Sequence, residues 1–250
     1  MINIPKECVI IGGGPSIKEG LSLGLKERIK DKFVITCNFA FNHFDGTFEV
    51  FVDRDFYTGR LNTPNDLTIN NEHVDKIKAL PLIVGHLFDN RFDYYSNTIA
   101  LKQSREFDKS AKKGFYSSFM CGFFALHVAM YLMNYTGTIY ILGYDWTKRD
   151  PKTICPTTYT PYDNKTETHY YSDSEIKHRG QHWLSAFENH DAHQYFVNFL
   201  IPGIKVYNVS LNSNIFDFEK ISYPKMLDLL SLETINQEEL RKEIKSILAK

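Results

Sequence analysis

Short apolar runs, each closed by glycine or polar residues and alternating with stretches of helical period, organise the first half of the chain. Cys8-Val9-Ile10-Ile11 predicts a buried strand that ends at Gly12-Gly13-Gly14-Pro15-Ser16. Residues 17–30 then carry helical spacing, with Ser16 as N-cap and Glu19 three positions on. Phe33-Val34-Ile35-Thr36-Cys37, closed by Asn38, and Glu49-Val50-Phe51-Val52, closed by Asp53-Arg54-Asp55, predict two more strands. Strand alternating with helix favours a parallel sheet covered by helices, and polar residues stand where ligands bind such sheets, outside the carboxyl ends of the strands.

Further along, Pro81-Leu82-Ile83-Val84 predicts a strand inside the otherwise irregular stretch 56–115. A helix is expected from Ser117 to about Met133, then a strand Thr138-Ile139-Tyr140-Ile141-Leu142 ending in Gly143-Tyr144-Asp145-Trp146. Residues 147–181 hold three prolines and Tyr159, Tyr162, Tyr170 and Tyr171 with little apolar period, and read as a lid-like excursion. A helix over about 183–200, a strand Ile204-Lys205-Val206-Tyr207 and an amphipathic packing helix within 232–250 complete the pattern. No repeat or low-complexity linker interrupts it, so residues 1–250 are expected to form one α/β domain with an inserted lid.

Composition narrows the function. The 250 residues carry 29 Lys+Arg against 30 Asp+Glu, a net charge of −1 that gives no electrostatic case for coating nucleic acid. Cys8, Cys37, Cys121 and Cys155 show no metal-ligand spacing and read as reduced structural thiols of a cytoplasmic protein. The longest apolar stretch, 119–133, is shorter than a membrane span of about 20 residues and contains His127. The surplus lies in aromatics, with 19 Phe, 15 Tyr and 2 Trp, which suit both cores and ligand clefts.

Three constellations carry chemistry. The glycine turn at the start of a helix lets backbone approach a phosphate or ribose, although a tight turn needing positive φ explains it equally. It lacks the Gly-Lys-Ser/Thr of a Walker loop and the full spacing of a dinucleotide fingerprint. Asp53 and Asp55, two apart on an extended segment, could share a divalent cation or pair with Arg54. His182, in His178-Arg179-Gly180-Gln181-His182 at a loop-to-helix junction, has the pKa range of a general base, whereas His127, His190 and His193 lie inside helical patterns as core or surface residues.

The order of these motifs resembles the bacterial lipooligosaccharide sialyltransferases: the turn Gly12 to Ser16, Asn38, Ser117-Ser118, Gly143-Tyr144-Asp145, His178 and His182, and the block 204–215 with its Asn212-Ser213 pair. The resemblance spans about residues 8–218, with nothing contributed by 56–113. It implies a doubly wound, Rossmann-like domain with helices on both faces and a lid, transferring sialic acid from CMP-sialic acid to a glycan hydroxyl without a metal or other cofactor. By the same resemblance Gly12, Gly14, Ser16 and Asn38 would hold the cytidine nucleotide, with Ser117 or Ser118 near the donor, and Gly13, Asp53, Gly143 and Asp145 are further candidates for the nucleotide site. His182 would be the general base, and Tyr159 and Tyr162 would bind the leaving phosphate. Gly13, Phe119 and Trp146-Thr147 stand where family members commonly have Asn, Gly and Tyr, and Lys112 and Lys113 lie near the place of a missing arginine.

A second resemblance, to the archaeal-type 6-hydroxymethylpterin diphosphokinase-like proteins, would instead make Asp53, Asp55 and Asp145 ligands of Mg²⁺ for ATP. A nucleotide-binding module without catalysis is the third reading. The expected partners are a nucleotide-sugar donor, a glycan acceptor and a second copy of the chain as homo-oligomer. Nucleic acid is not among them, and the expected location is cytoplasmic with peripheral membrane contact.

Overall fold

In the computed structural model, residues 4–60, 68–89, 92–117, 120–145, 193–213 and 215–249 are described. Eight strands form one sheet: β1 (Glu7–Ile11), β2 (Val34–Cys37), β3 (Phe48–Phe51), β4 (Ile83–His86), β5 (Thr98–Leu101), β8 (Gly137–Leu142), β9 (Ile204–Asn208) and β10 (Glu219–Lys220). Their order is β10-β9-β8-β1-β2-β3-β4-β5, with every neighbouring pair parallel. The chain therefore winds outward from β1 to β5, returns to β8 on the far side of β1, and winds outward again. The two-stranded pair β6 (Gln103–Ser104) and β7 (Phe115–Tyr116) stands apart. This is the doubly wound α/β architecture expected from the alternating pattern.

The period-two alternation of the strands sends side chains to two cores. Cys8, Ile10, Ile35, Cys37, Phe48, Val50, Ile139 and Ile141 face α5 (Cys121–Leu132) and α8 (Gln237–Leu248). Val9, Ile11, Val34, Tyr140 and Leu142 face α1 (Ile17–Ser22), α2 (Leu25–Ile29) and α7 (Tyr223–Leu229). A smaller cluster around Phe51, Phe56, Tyr57, Ile77 and Ile83 fills the space under α3 (Arg54–Tyr57) and α4 (Asn71–Ala79).

Several expected elements change shape. The helix over 17–30 breaks into α1 and α2 at Gly24, whose φ of 77° puts it in the left-handed region. Ser16 makes no side-chain cap to α1. The helix expected from Ser117 begins at Cys121, while Ser117 itself follows β7, its N–H donating to the Ser104 carbonyl at 3.2 Å. Of the helix expected over 183–200, the described part is α6 (His193–Phe196) with a 3₁₀ turn to Phe199. The lid-like segment 147–181 lies outside the described residues.

Helix α5 is apolar all round because it is covered all round: the sheet lies on one side, and Phe196 and Phe199 reach its residue Phe123 on another. Burying side chains such as Phe123, Phe124 and Leu126 contributes roughly 1.5–3 kcal/mol each. Among the described residues no helix is long and apolar enough to cross a membrane. The C-terminal helix docks on the domain: α8 buries Leu240, Ile244 and Leu248, and the Arg241 guanidinium donates to the Thr47 and Gly46 carbonyls at 2.8 and 3.3 Å.

One histidine is locked inside this core. His127 Nδ1 accepts the Tyr116 N–H at 2.8 Å, so Nε2 carries the proton and donates to the Tyr135 hydroxyl at 3.1 Å, which in turn donates to the Lys109 carbonyl at 2.8 Å. Burial pushes its pKa from 6.5 down to about 4, against a weaker opposing pull from Asp108. Above about pH 6.5 the imidazole is neutral whether the chain is folded or not, and it imposes no titration cost. As pH falls toward 4 the unfolded chain takes up a proton that the fold refuses, and stability drops by up to about 1.4 kcal/mol per pH unit. Urea unfolding of the wild type and H127Q should therefore converge between pH 7 and 4.5, with the advantage of the wild type shrinking by about 2–3 kcal/mol. A pH-independent difference would contradict this account.

Candidate functional site

The strand order reverses between β1 and β8, and open parallel sheets bind ligands in the crevice this creates. The turn after β1 and the turn after β8 meet there. The Gly12 N–H donates to the Leu142 carbonyl at 2.7 Å and the Gly14 N–H to the Gly143 carbonyl at 2.9 Å. A side chain at Gly12 would place Cβ 2.9 Å from the Gly143 oxygen; one at Gly14 would lie 2.6 Å from the same oxygen and collide with the Asp145 carboxylate. Gly143 has a φ of 68° and completes the close approach. The glycines serve this crossing of two backbones.

Asp145, 8% exposed, supplies the cap that Ser16 does not: its Oδ2 accepts the Ser16 N–H at 2.9 Å at the start of α1. The consequence is electrostatic. The place expected to receive a phosphate already holds a carboxylate, which repels a second anion. Helix α5 is different. Its amino terminus, beside Val50 on β3 and Tyr144 after β8, has no side-chain cap and no acidic residue in its first turn. Among the described residues along this sheet edge, the start of α5 carries no such anion.

Around the crossing, neighbouring residues of the Gly-Tyr-Asp sequence point opposite ways. The Tyr144 side chain turns toward α5, where its hydroxyl donates to the Gly122 carbonyl at 3.0 Å. Its carbonyl accepts from the Ser213 hydroxyl at 2.8 Å, and that hydroxyl in turn accepts from Asn208 Nδ2 at 2.8 Å and the Ile215 N–H at 3.1 Å. Asn208 and Ser213 thus clamp the end of β8, and Ser213 leads on to β10 and α7. The ring of Tyr223 lies against Gly20 of α1, and its buried hydroxyl approaches Ser16 and Asp145. Sequence reasoning gave Asn208 and Tyr223 no role and noted Ser213 only as part of the Asn212-Ser213 pair. Their signal was polarity at apolar positions beside strand ends and a glycine inside α1 that permits close approach.

The other expected residues fall as follows. Asn38 follows β2 next to the glycine turn, at the start of a 3₁₀ turn and in the left-handed region at φ 52°, with its side-chain oxygen buried and without a hydrogen-bond partner. Gly13 is half-buried in the turn, and Ser117 is buried beside α5. His182, Tyr159, Tyr162, Ser118 and His178 lie outside the described residues. Lys113 pairs with exposed Glu106 at 2.7 Å in the turn after β6.

Asp53 and Asp55 do not form the extended pair expected of them. Asp53 is the N-cap of α3, its Oδ1 accepting the Asp55 N–H at 2.8 Å, which bends the chain between them. Asp53 and Asp145 follow β3 and β8, three strand spacings or about 14 Å apart, too far to share one cation. Among the described residues, Cys8, Cys37 and Cys121 are free and buried, and burial pushes the Cys8 and Cys121 thiols well up.

No protein-family model, curated protein or solved structure matches the chain. Geometry at the crossing predicts two mutational outcomes. G14A should lower stability by more than about 2 kcal/mol in denaturant unfolding, since neither the Gly143 backbone nor the capping carboxylate has room to yield. D145N, which keeps an acceptor for the Ser16 N–H, should cost less than D145A, whose loss should be about 1–2 kcal/mol.

Proposed function

We propose that the chain is a glycosyltransferase of the sialyltransferase type, moving a sugar from a nucleotide-activated donor, with CMP-sialic acid favoured, to a glycan hydroxyl. The observation that carries this reading is the interlock of the glycine turn after β1 with Gly143 and Asp145 at the reversal of strand order, with Asn38 on the adjacent strand end. In this reading the nucleoside lies against the backbone of Gly12, Gly13 and Gly14 and beside Asn38. Asp145 is a positioning residue that holds the turn, and its charge directs the donor phosphate away from α1 and toward the start of α5.

His182 takes the proton of the acceptor hydroxyl as its oxygen attacks the anomeric carbon, and CMP leaves with the bonding electrons. Tyr159 and Tyr162 donate hydrogen bonds to that leaving phosphate. The reaction needs no metal in this scheme. A diphosphokinase would need Mg²⁺ held among Asp53, Asp55 and Asp145, and the distance between the β3 and β8 ends argues against a shared ion.

Thermal shift with CMP, UDP, GDP and ATP, each with and without Mg²⁺, tests the donor. CMP should stabilise the fold without Mg²⁺, by about 2.7 kcal/mol at a hundredfold excess over Kd. Stabilisation by ATP with Mg²⁺ alone would replace this reading with the diphosphokinase. H182A should reduce transfer about 10²- to 10⁴-fold while leaving the CMP shift intact. EDTA should leave transfer unchanged, and nucleotide binding with no transfer by the wild type would identify a binding module.

A further inference from the structure

A histidine that the reaction just described leaves unused stands near the end of β8. His193 opens α6, and its Nδ1–H donates to the Asp217 carboxylate. The two partners differ sharply in exposure, 61% for the His193 side chain against 3% for that of Asp217. A buried carboxylate fixes both the tautomer and the plane of the ring, so that Nε2 is the nitrogen turned outward. An ion pair with both partners in solvent would leave the ring free to reorient.

Packing determines where this pair stands. Tyr195 of α6 stacks on Phe123 at 5.5 Å between centroids, and Phe196 meets the same ring edge to face at 4.8 Å. Phe218, next to Asp217, closes on Phe196 at 5.5 Å. Phe123 belongs to the first turn of α5, where the Gly122 carbonyl accepts the Tyr144 hydroxyl. Asp217 itself lies between β10 and Ser213, the residue that binds the Tyr144 carbonyl. From β10 comes Lys220, whose Nζ donates to the Ser213 carbonyl. An oriented imidazole and an ammonium group therefore flank the end of β8 on the side of the first turn of α5.

We propose that His193 is the proton donor to the leaving phosphate, with Asp217 as its positioning residue. The assignment rests on the glycosyltransferase reading and adds a catalytic group to it. As the acceptor oxygen bonds to the anomeric carbon, the bond from that carbon to the phosphate oxygen breaks and its electron pair goes to the phosphate. The acceptor proton passes to His182. The imidazolium of His193 gives its Nε2 proton to the departing oxygen and becomes neutral imidazole, while Asp217 stays a carboxylate throughout. Entering and leaving oxygens stand on opposite sides of the carbon, so a group at the phosphate end serves departure and not attack. Charge agrees with this role. Protonated His193 completes an ion pair with the buried carboxylate, and Lys220 adds a second positive group to which the phosphate is drawn.

Calorimetry on the full chain with CMP and with cytidine, together with CMP release from CMP-sialic acid in the presence of lactose, tests the role. The wild type should bind CMP more tightly than cytidine. H193A and H193Q, at an exposed position that protects folding, should lower kcat for CMP release about 10²- to 10⁴-fold. Both should weaken CMP by about tenfold with cytidine binding unchanged, the signature of a lost phosphate contact that a merely structural histidine would not give. D217N, which keeps the side-chain shape, should lower kcat with cytidine binding unchanged. The proposal is overturned if both His193 variants release CMP at the wild-type rate, if they keep the wild-type preference for CMP over cytidine, or if D217N has wild-type kcat; CMP binding and release by the wild type would then leave the transferase reading standing. No CMP binding or no CMP release by the wild type would instead remove the donor reading, and the role of His193 with it.

Discussion

The carboxyl edge of the sheet is shaped by how closely the turn after β1 approaches the turn after β8. Two backbone hydrogen bonds and one carboxylate cap hold them together, and neither Gly12 nor Gly14 has space for a Cβ. The register of β1 with β8, Glu7 opposite Thr138 through Ile11 opposite Leu142, delivers both turns to the same height. A shift of one residue would move the glycines off the Gly143 carbonyl and turn the alternating apolar residues of β1 to the wrong cores. The shape of the crevice therefore depends on this one contact.

That contact also decides where charge can go. A carboxylate occupies the start of α1, where a glycine turn before a helix ordinarily favours an anion, whereas the start of α5 has no side-chain cap and no acidic residue in its first turn. Asn208 and Ser213 reinforce the arrangement from β9 by binding the Tyr144 carbonyl, so the crevice at the strand-order reversal is braced by segments from both halves of the chain. The aromatic cluster over β3 and β4 is held by other means, with Phe88, Phe92 and Tyr94 packed ring on ring, partly buried, against a core filled by Phe51 and Tyr57.

Much of this was legible in the residues. Strands β1, β2, β3, β4, β8 and β9 lie within one or two residues of their apolar runs, because a fully buried parallel strand must be apolar on both faces. The C-terminal helix showed its buried face through Leu240, Ile244 and Leu248. Reading Asp53 and Asp55 as an extended pair failed because an aspartate at the start of a short helix is drawn to the N–H two residues on. The Ser16 cap failed because a stronger acceptor arrives from far along the chain.

Sequence by itself determined the strands with continuous apolar runs, the helices with clear period and the parallel class of the sheet, since apolar alternation and helical period are local properties. Tertiary structure decided which turn stands beside which, that Asp145 caps a helix start 129 residues away, and that Arg54 after β3 lies over Phe92 in the loop after β4. Those outcomes depend on strand order and on the distances between strand ends. Both arise only when non-local pairing brings remote segments together, so no local window of the chain contains them.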